Sequence, residues 1–231
     1  DDGVERSIVN IATMIPLYWL AMLSKADILD RTCTDAEEQL EKIEYFKLFA
    51  EDLECLVSPR AFISDLARYT YLSKGGYIDY EPYDETQFKV YMMSAIAGSG
   101  KDTYIKNNLS HLPVVSLDDI RVEMGVSPTD KSKNGVVIQM AKEKAKEYMR
   151  KKADFVWNAT NITAQLRQQL IDLFVSYGGY VTIIYIEVPY KTLIKQNNDR
   201  EAAVPAKVIE SMIHKLEPPI LEEAHNIIVI S

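Results

Sequence analysis

The chain has 231 residues, 47% of them apolar, and carries a formal net charge of −8. That length allows one large domain or two small ones, and the charge argues against broad affinity for nucleic acid, which needs many phosphate contacts. Two cysteines, Cys33 and Cys55, give neither a zinc site nor a disulfide framework, so we expect a reducing, cytoplasmic compartment. The longest apolar stretch, Ile11–Leu23, is too short to span a bilayer, and no membrane contact is expected.

Residues 4–74 show the periodicity of helices. Apolar residues recur at helical spacing between Ile8 and Leu23, and further helices are predicted over 35–56 and 59–72. The first third of the chain is therefore expected to be all-α.

Candidate N-caps indicate where two of these helices begin. Thr34 is followed three residues later by Glu37, which is the spacing of a capping box. Ser58 precedes Pro59, and proline is favoured at the first helical position. We therefore expect helices to begin near residues 35 and 59.

From residue 88 onward, short apolar runs alternate with helical segments. Such alternation predicts an α/β fold, in which helices flank a parallel sheet and ligands bind at the carboxyl ends of the strands. We divide the chain into a smaller all-α domain over 1–78, an acidic, tyrosine-rich linker over 79–87 and an α/β domain over 88–231. The predicted strands are 89–96, 113–116, 155–158, 180–187 and 227–230.

The most informative motif is AIAGSGKDT at residues 95–103, between the first predicted strand and a helix. Gly98, Ser99 and Gly100 let backbone N–H groups approach an anion closely, and Lys101 adds a full positive charge. The motif predicts binding of a nucleoside triphosphate, with ATP as the first ligand to consider.

Two positions depart from the usual GxxxxGK[ST] pattern. Ala95 replaces the first glycine, and Asp102 replaces a hydroxyl that usually binds Mg²⁺. Asp102 is able to bind Mg²⁺ directly or through water, or to serve only as a first-turn acid favoured by the helix dipole. Thr103 is the neighbouring hydroxyl, and the pattern leaves these roles open.

Polar residues follow the next two predicted strands. After the second strand, Asp118 is placed to accept a proton from an attacking hydroxyl and Arg121 to hold a phosphate, unless Asp118 or Ser116 merely caps a helix. After the third strand, Thr160 and Asn161 are placed either to hold a substrate phosphate or to cap a helix.

A basic segment at 191–200 ends in Arg200 and is followed by Pro205. Late in a phosphate-loop protein, such a segment can act as a lid that places an arginine over the transferring phosphoryl group. The alternative is a solvated, charged helix.

Taken together, these pieces resemble the phage-type polynucleotide 5′-kinases, which are P-loop kinases. In that family GSGK is followed in order by an Asp-Asp-x-x-Arg motif, a Thr-Asn turn, a strand ending in Val-Pro, a lid arginine and an Ala-Val-Pro step. The corresponding residues here are Asp118-Asp119-Ile120-Arg121, Thr160-Asn161, Val188-Pro189, Arg200 and Ala203-Val204-Pro205.

The resemblance implies an ATP-dependent, Mg²⁺-assisted kinase that phosphorylates 5′-hydroxyl ends of RNA or DNA. It assigns Lys101 to the β- and γ-phosphates, Asp118 to the general base, Arg121 to the acceptor or transferred phosphate, and Arg200 to the donor phosphates. Because the family has Ser or Thr after the lysine, Asp102 leaves the metal handling open. One basic stretch could flank an entry channel for the nucleic acid, or it is simply a solvated helix face. It consists of Lys142, Lys144, Lys146, Arg150, Lys151 and Lys152.

The helical third carries a second, partial resemblance. Residues 23–29, LSKADIL, resemble the last motif of His-Asp metal phosphohydrolases, in which the aspartate, here Asp27, closes the metal site. Bacterial RNA-repair proteins join such a domain to a polynucleotide kinase. All three histidines lie beyond residue 100, so the remaining ligands are missing. We expect either that residues precede Asp1 or that this part is a remnant helical platform.

The main interpretation is a polynucleotide 5′-hydroxyl kinase. A kinase of a nucleoside or sugar is the nearest alternative, which the net charge of −8 favours. A nucleotide-binding module without turnover is a second alternative, motivated by Ala95 and Asp102. The pattern does not distinguish RNA from DNA and indicates no oligomeric state.

Overall fold

The computed structural model describes residues 2–32, 34–127, 130–200 and 203–231. The chain forms two compact units. The first comprises Asp1–Tyr83 together with Ile220–Glu222, and the second comprises Asp84–Pro219 together with Glu223–Ser231. The first unit is helical, and the second contains the sheet.

The helical unit is built from α1 (Asp2–Ala12), α2 (Leu17–Asp30), α3 (Ala36–Asp52) and α4 (Asp65–Lys74). Helices α2 and α3 pack against each other, and α1 packs against α4. Within the described residues, no single helix is both long and apolar enough to cross a membrane, and α1 and α2 meet those criteria only as a pair bent by 98°. The core of the unit is formed by Val9, Ala12, Leu17, Ala50, Cys55, Leu56, Tyr71 and Leu72.

Helix α4 begins at Asp65, so the predicted start at Pro59 is wrong. The Ser64 hydroxyl accepts a hydrogen bond from the Ala67 N–H at 3.0 Å and caps the first turn there. Upstream, the Arg60 guanidinium donates to the Leu53 carbonyl at 3.1 Å, which holds that stretch outside the helix.

The capping box predicted for α3 is also wrong. The residue before the helix is Asp35, and no side-chain cap bond forms at this described helix start. The Asp35 carboxylate instead accepts a hydrogen bond from Gln39 Nε2 at 3.0 Å. The helix ends at Asp52, short of the predicted Leu56, because Glu54 turns into the left-handed region with a φ of 55°.

The second unit confirms the predicted α/β fold with a parallel sheet. Its strands are β1 (Phe88–Ala95), β2 (Val114–Ser116), β3 (Phe155–Asn158), β4 (Gly179–Ile186) and β5 (Asn226–Ile230). In the described part of the chain they form a five-stranded parallel sheet in the order β2-β3-β1-β4-β5. The register pairs Ala95 with Ile186 and Ser116 with Asn158, so the carboxyl ends of the strands share one edge. The loops that leave this edge carry the predicted site residues.

Helices cover both faces of the sheet. They are α5 (Lys101–Asn108), α6 (Leu117–Glu123), α7 (Asn134–Arg150), α8 (Ala164–Ser176), α9 (Tyr190–Asn198) and α10 (Ala206–Ile213). Because side chains alternate along a strand, the neighbours Met92 and Met93 of β1 enter different apolar clusters. Met92 belongs to the cluster that includes Ala141 of α7, and Met93 to the cluster that includes Ile105 of α5.

Candidate active site

The loop between β1 and α5 has the conformation of a phosphate-binding turn. Gly98 and Gly100 have φ values of +89° and +95°, a region that glycine tolerates far better than other residues. The buried Ser99 hydroxyl donates to the Ile96 carbonyl at 2.9 Å and holds the turn closed. Gly100 precedes the first residue of α5, so the unpaired N–H groups at the start of that helix are available to an anion.

Lys101 connects this loop to the other charged residues of the site. Its Nζ donates to the Ile96 carbonyl at 3.2 Å and approaches the Ala95 carbonyl at 3.4 Å. Burial lowers the pKa of Lys101 to about 8, the carboxylates of Asp102 and Asp118 oppose that shift, and Arg200 adds to it. These four residues therefore lie within electrostatic reach of one another.

A cleft of about 1350 Å³ opens at the carboxyl edge of the sheet. Its walls combine polar residues at the strand ends with apolar side chains such as Val122 and Met212. Every residue predicted for the site lines this cleft except Asn161. The predicted residues that line the cleft are Gly98, Ser99, Gly100, Lys101, Asp102, Thr103, Asp118, Arg121, Thr160 and Arg200.

Asp118 lies in the first turn of α6, which begins at Leu117. The Ser116 hydroxyl accepts from the Asp119 N–H at 3.2 Å and caps the helix. Since Ser116 provides the cap, the Asp118 carboxylate is exposed at the cleft and available to another group.

Arg121 lies one turn further along α6 and is held by a residue from α7. Its Nη2 donates to Asn134 Oδ1 at 2.6 Å. Its Nη1 is buried and has no hydrogen-bond partner among the described residues. A buried guanidinium N–H without a partner is costly, so this atom is suited to an anionic group bound in the cleft.

Asp102 is contacted from two other elements at the rim of the cleft. Asn158, at the end of β3, donates from Nδ2 to Asp102 Oδ1 at 2.8 Å. Arg200 Nη2 lies 4.0 Å from Asp102 Oδ2. The Asp102 side chain is 72% exposed, so this distance describes a loose ion pair.

The donor set of the cleft fits Mg²⁺ only together with bound phosphates. Among the described residues, no group of three or more His, Cys, Asp or Glu side chains gathers to hold a metal ion. Asp102 and Asp118 nevertheless offer exposed carboxylate oxygens in one cleft. Mg²⁺ is commonly bound by one or two carboxylates plus the phosphates of a substrate, which is the arrangement available here.

Asn161 has a structural position, although it was predicted to bind substrate. It is buried with a left-handed φ of 43°, and its Nδ2 donates to the Met93 carbonyl at 2.7 Å. Its own carbonyl accepts from the Ser94 hydroxyl and from the buried Arg167. The structure therefore brings only Thr160 of this pair to the cleft, and Asn161 joins the end of β3 to β1.

Three asparagines at or beside the cleft were not among the predicted binding or catalytic residues. Asn158 closes β3 in the polar cluster that contains Thr160, so its location gave a signal. Asn134 and Asn197 lie within helical stretches and belong to no motif. Their contacts join residues of different elements or turns, which residue spacing alone does not indicate.

Three of the six cations in the predicted basic stretch contact other residues of the chain. Lys144 pairs with Glu123 at 3.3 Å and Lys146 with Glu143 at 2.8 Å. Lys152 donates to the Tyr177 carbonyl at 2.8 Å. These contacts favour the interpretation as a solvated helix face over that of a channel for nucleic acid.

Residues 90–219, more than half of the chain, match the family described as AAA domain. The chain belongs to the AAA domain family. All the predicted site residues lie inside this match, whereas the described helices α1–α4 lie outside it. The match and the phosphate loop together identify a P-loop kinase-like, nucleotide-binding domain.

Solved structures share the fold at low sequence identity. A candidate kinase of Chloroflexus aurantiacus is 15% identical with a TM-score of 0.53, over 63% of this chain and 85% of that one. A sugar kinase of Janibacter sp. is 17% identical with a TM-score of 0.47, over 62% of this chain and 84% of that one. A chain of a Pnkp1/Rnl/Hen1 complex is 15% identical with a TM-score of 0.45, over 52% of this chain and 41% of that one. The first of these supports the fold assignment.

Proposed function

We propose that this protein transfers the γ-phosphoryl group of ATP to the 5′-hydroxyl of a nucleic acid end. The observation that carries the proposal is a single cleft lined both by the phosphate loop and by Asp118 and Arg121 of α6. The phosphate loop supplies a site for the donor, and the two α6 residues supply a base and a cation for the acceptor.

The donor half holds the triphosphate through backbone and cationic groups. The N–H groups at the start of α5 bind the phosphates, Lys101 neutralises the β- and γ-phosphates, and Arg200 contacts them from the loop after α9. Asp102 is the residue suited to holding Mg²⁺, which when bound would offset phosphate charge.

The acceptor half supplies the proton acceptor. The 5′-oxygen attacks the γ-phosphorus in line, a new O–P bond forms, and the bond between the γ-phosphorus and the bridging oxygen breaks to release ADP. Asp118 accepts the proton of the attacking hydroxyl. The Asp118 carboxylate is exposed, and the cap of α6 is supplied by Ser116. Both observations support this role, because the carboxylate is not needed to cap the helix.

Arg121 supports an acceptor that itself carries negative charge. Its buried Nη1 lacks a partner among the described residues, and a phosphate oxygen matches a guanidinium donor well. A nucleic acid end brings such a phosphate next to the hydroxyl, whereas a free nucleoside or sugar does not.

A kinase of a small hydroxyl compound is the second candidate. The net charge of −8 favours it, as do the internal contacts of Lys144, Lys146 and Lys152, which are three of the six cations in the predicted basic stretch. In this alternative Arg121 binds the transferred phosphate and contributes nothing to acceptor choice.

For Asp27 of the helical unit we infer a structural role. Asp27 forms a surface ion pair with Arg31 at 2.7 Å.

A competition assay distinguishes the two candidates. The chain is incubated with γ-³²P-ATP, Mg²⁺ and an equimolar mixture of a 5′-hydroxyl RNA, a 5′-hydroxyl DNA, a nucleoside and a hexose. We expect label on an oligonucleotide and little on the nucleoside or hexose. Label mainly on a small compound supports the second candidate, and ATP binding without transfer to any acceptor supports a non-catalytic nucleotide-binding module.

A further inference from the structure

Asn197 closes the segment that carries Arg200. Its Nδ2 donates to the Val204 carbonyl at 2.8 Å, and its Oδ1 accepts from the Val204 N–H at 2.9 Å. The side chain thus pairs with both backbone groups of Val204, as a strand residue would. Arg200 lies between the two paired residues, and its own N–H donates to the Asn197 carbonyl at 3.3 Å.

The same residue packs directly on the phosphate loop. A Cβ placed on Gly98 would lie 3.2 Å from the Asn197 Cβ and 3.5 Å from its Cα. Asn197 is 3% exposed, although its neighbours Asn198 and Asp199 are exposed. One buried side chain therefore joins the phosphate loop to both ends of the segment that carries Arg200.

We propose that Asn197 is a positioning residue that holds Arg200 over the phosphate loop. A flexible arginine loses conformational freedom when it binds phosphate, and the contact between Asn197 and Val204, which lie on either side of Arg200, reduces that cost. Asparagine suits the position because its amide offers one donor and one acceptor, which match the carbonyl and the N–H of Val204. Asn197 is not among the residues that line the cleft.

This inference rests on the proposed role of Arg200 at the donor phosphates and does not depend on the identity of the acceptor. A double-mutant cycle on ATP binding therefore tests it directly. The variants are Asn197→Ala, Arg200→Ala and the combination of both, with the dissociation constant of ATP measured by titration calorimetry. We expect Arg200→Ala to weaken binding about tenfold, as expected for one lost charge-assisted hydrogen bond, and Asn197→Ala about fivefold.

The combined variant provides the decisive comparison. If Asn197 acts through Arg200, adding Asn197→Ala to Arg200→Ala changes the dissociation constant by less than about twofold. An undiminished fivefold loss in the Arg200→Ala background would overturn the proposal, because Asn197 would then act independently of the arginine. Asn198→Ala is the matched control, since Asn198 is the exposed neighbour on α9, and it leaves ATP binding unchanged.

Asn197→Asp guards against a folding defect in the alanine variant. It keeps the shape and the acceptor for the Val204 N–H, but it removes the donor to the Val204 carbonyl. We expect folded protein by thermal denaturation with ATP binding weakened about threefold to fivefold, and again no loss beyond Arg200→Ala in the combined variant. Failure of both Asn197 variants to fold overturns the proposal, because the contact is then purely structural. Failure of the chain to phosphorylate any acceptor contradicts the proposed function and leaves this cycle interpretable.

Discussion

The two halves of the cleft are built in different ways. The donor half depends on backbone geometry, with Gly98 and Gly100 in left-handed conformations and α5 beginning at Lys101. The acceptor half depends on side chains, with Asp118 left uncommitted by the Ser116 cap and Arg121 held by Asn134. Binding by the donor half is therefore sensitive to changes in backbone conformation. Transfer to the acceptor is sensitive to the loss of single side-chain groups. The proposed mechanism therefore predicts that the two halves can be damaged separately.

The largest effect is expected for Lys101→Met. The change removes the charge that faces the β- and γ-phosphates, so it affects both the bound triphosphate and the transition state. We expect transfer to fall by about 10³-fold and the dissociation constant of ATP to rise by about 10-fold to 100-fold, measured by γ-³²P transfer and by calorimetry. Lys106→Met on the same helix is the control, since Lys106 is exposed and lies outside the cleft lining. Normal transfer by Lys101→Met would contradict the assignment of the donor half.

Arg121→Ala is expected to damage only the acceptor half. Transfer falls by about 10²-fold because one preorganised cation is lost, while the dissociation constant of ATP stays within about twofold. Asn134→Ala, which leaves the guanidinium but removes the acceptor for its Nη2, costs about tenfold. Steady-state kinetics with the oligonucleotide varied measures both, with Arg150→Ala at the exposed end of α7 as control. An equal loss of ATP affinity in Arg121→Ala would show that this residue belongs to the donor half.

Gly98→Ala tests the backbone half. The φ of +89° is unfavourable for alanine, and the new Cβ would lie 3.2 Å from Asn197, so we expect a loss of about 1–2 kcal/mol in the free energy of unfolding. Chemical denaturation measures this loss. Gly135→Ala is the matched control because a Cβ there meets no atom within 4 Å, and it leaves stability unchanged or slightly higher. Equal stability of the two variants would show that the turn tolerates a side chain.

A smaller effect is expected from pH. Burial lowers the pKa of Lys101 to about 8, so above that pH the free protein increasingly lacks the charge that ATP needs. ATP affinity should therefore fall as pH rises from 8 towards 9.5, by at most about tenfold per pH unit, and binding at pH 8 should take up about half a proton. Calorimetry in buffers of different ionisation enthalpy measures this uptake. Lys101→Arg, which stays charged, should bind without it, and equal proton uptake in both proteins would exclude Lys101 as its source.

The fold and the conformation of the phosphate loop were the parts most accessible from sequence. The alternation of strands and helices predicted the parallel sheet, because burial on both faces leaves a strong apolar signal in each strand. The phosphate loop was predictable because its conformation depends on neighbouring residues in one short segment, from Ile96 to Lys101.

The start of α4 and the contacts of two asparagines were not predictable in the same way. They depend on competition between candidate helix caps and on contacts between residues far apart in the chain. Ser58 was the predicted helix cap, whereas the structure uses Ser64, and the Arg60 contact to Leu53 connects the stretch between these two positions to the end of the preceding helix. Asn161 belongs to a polar turn of the kind that can bind a substrate. Its side-chain amide instead donates to the carbonyl of Met93, which lies 68 positions earlier in the chain. The contact of Asn134 with Arg121 likewise joins separate helices, which no local pattern contains.

The separation of the two halves is tested most directly by Asp118→Ala beside Asp119→Ala. Both changes remove an exposed carboxylate from the first turn of α6, but only Asp118 lines the cleft. We expect Asp118→Ala to lower γ-³²P transfer to a 5′-hydroxyl oligonucleotide by about 10²–10⁴-fold and to keep ATP affinity within about twofold, while Asp119→Ala retains both transfer and ATP binding. Transfer by Asp118→Ala at the rate of the unmodified chain, or a parallel loss of ATP binding, would contradict this separation.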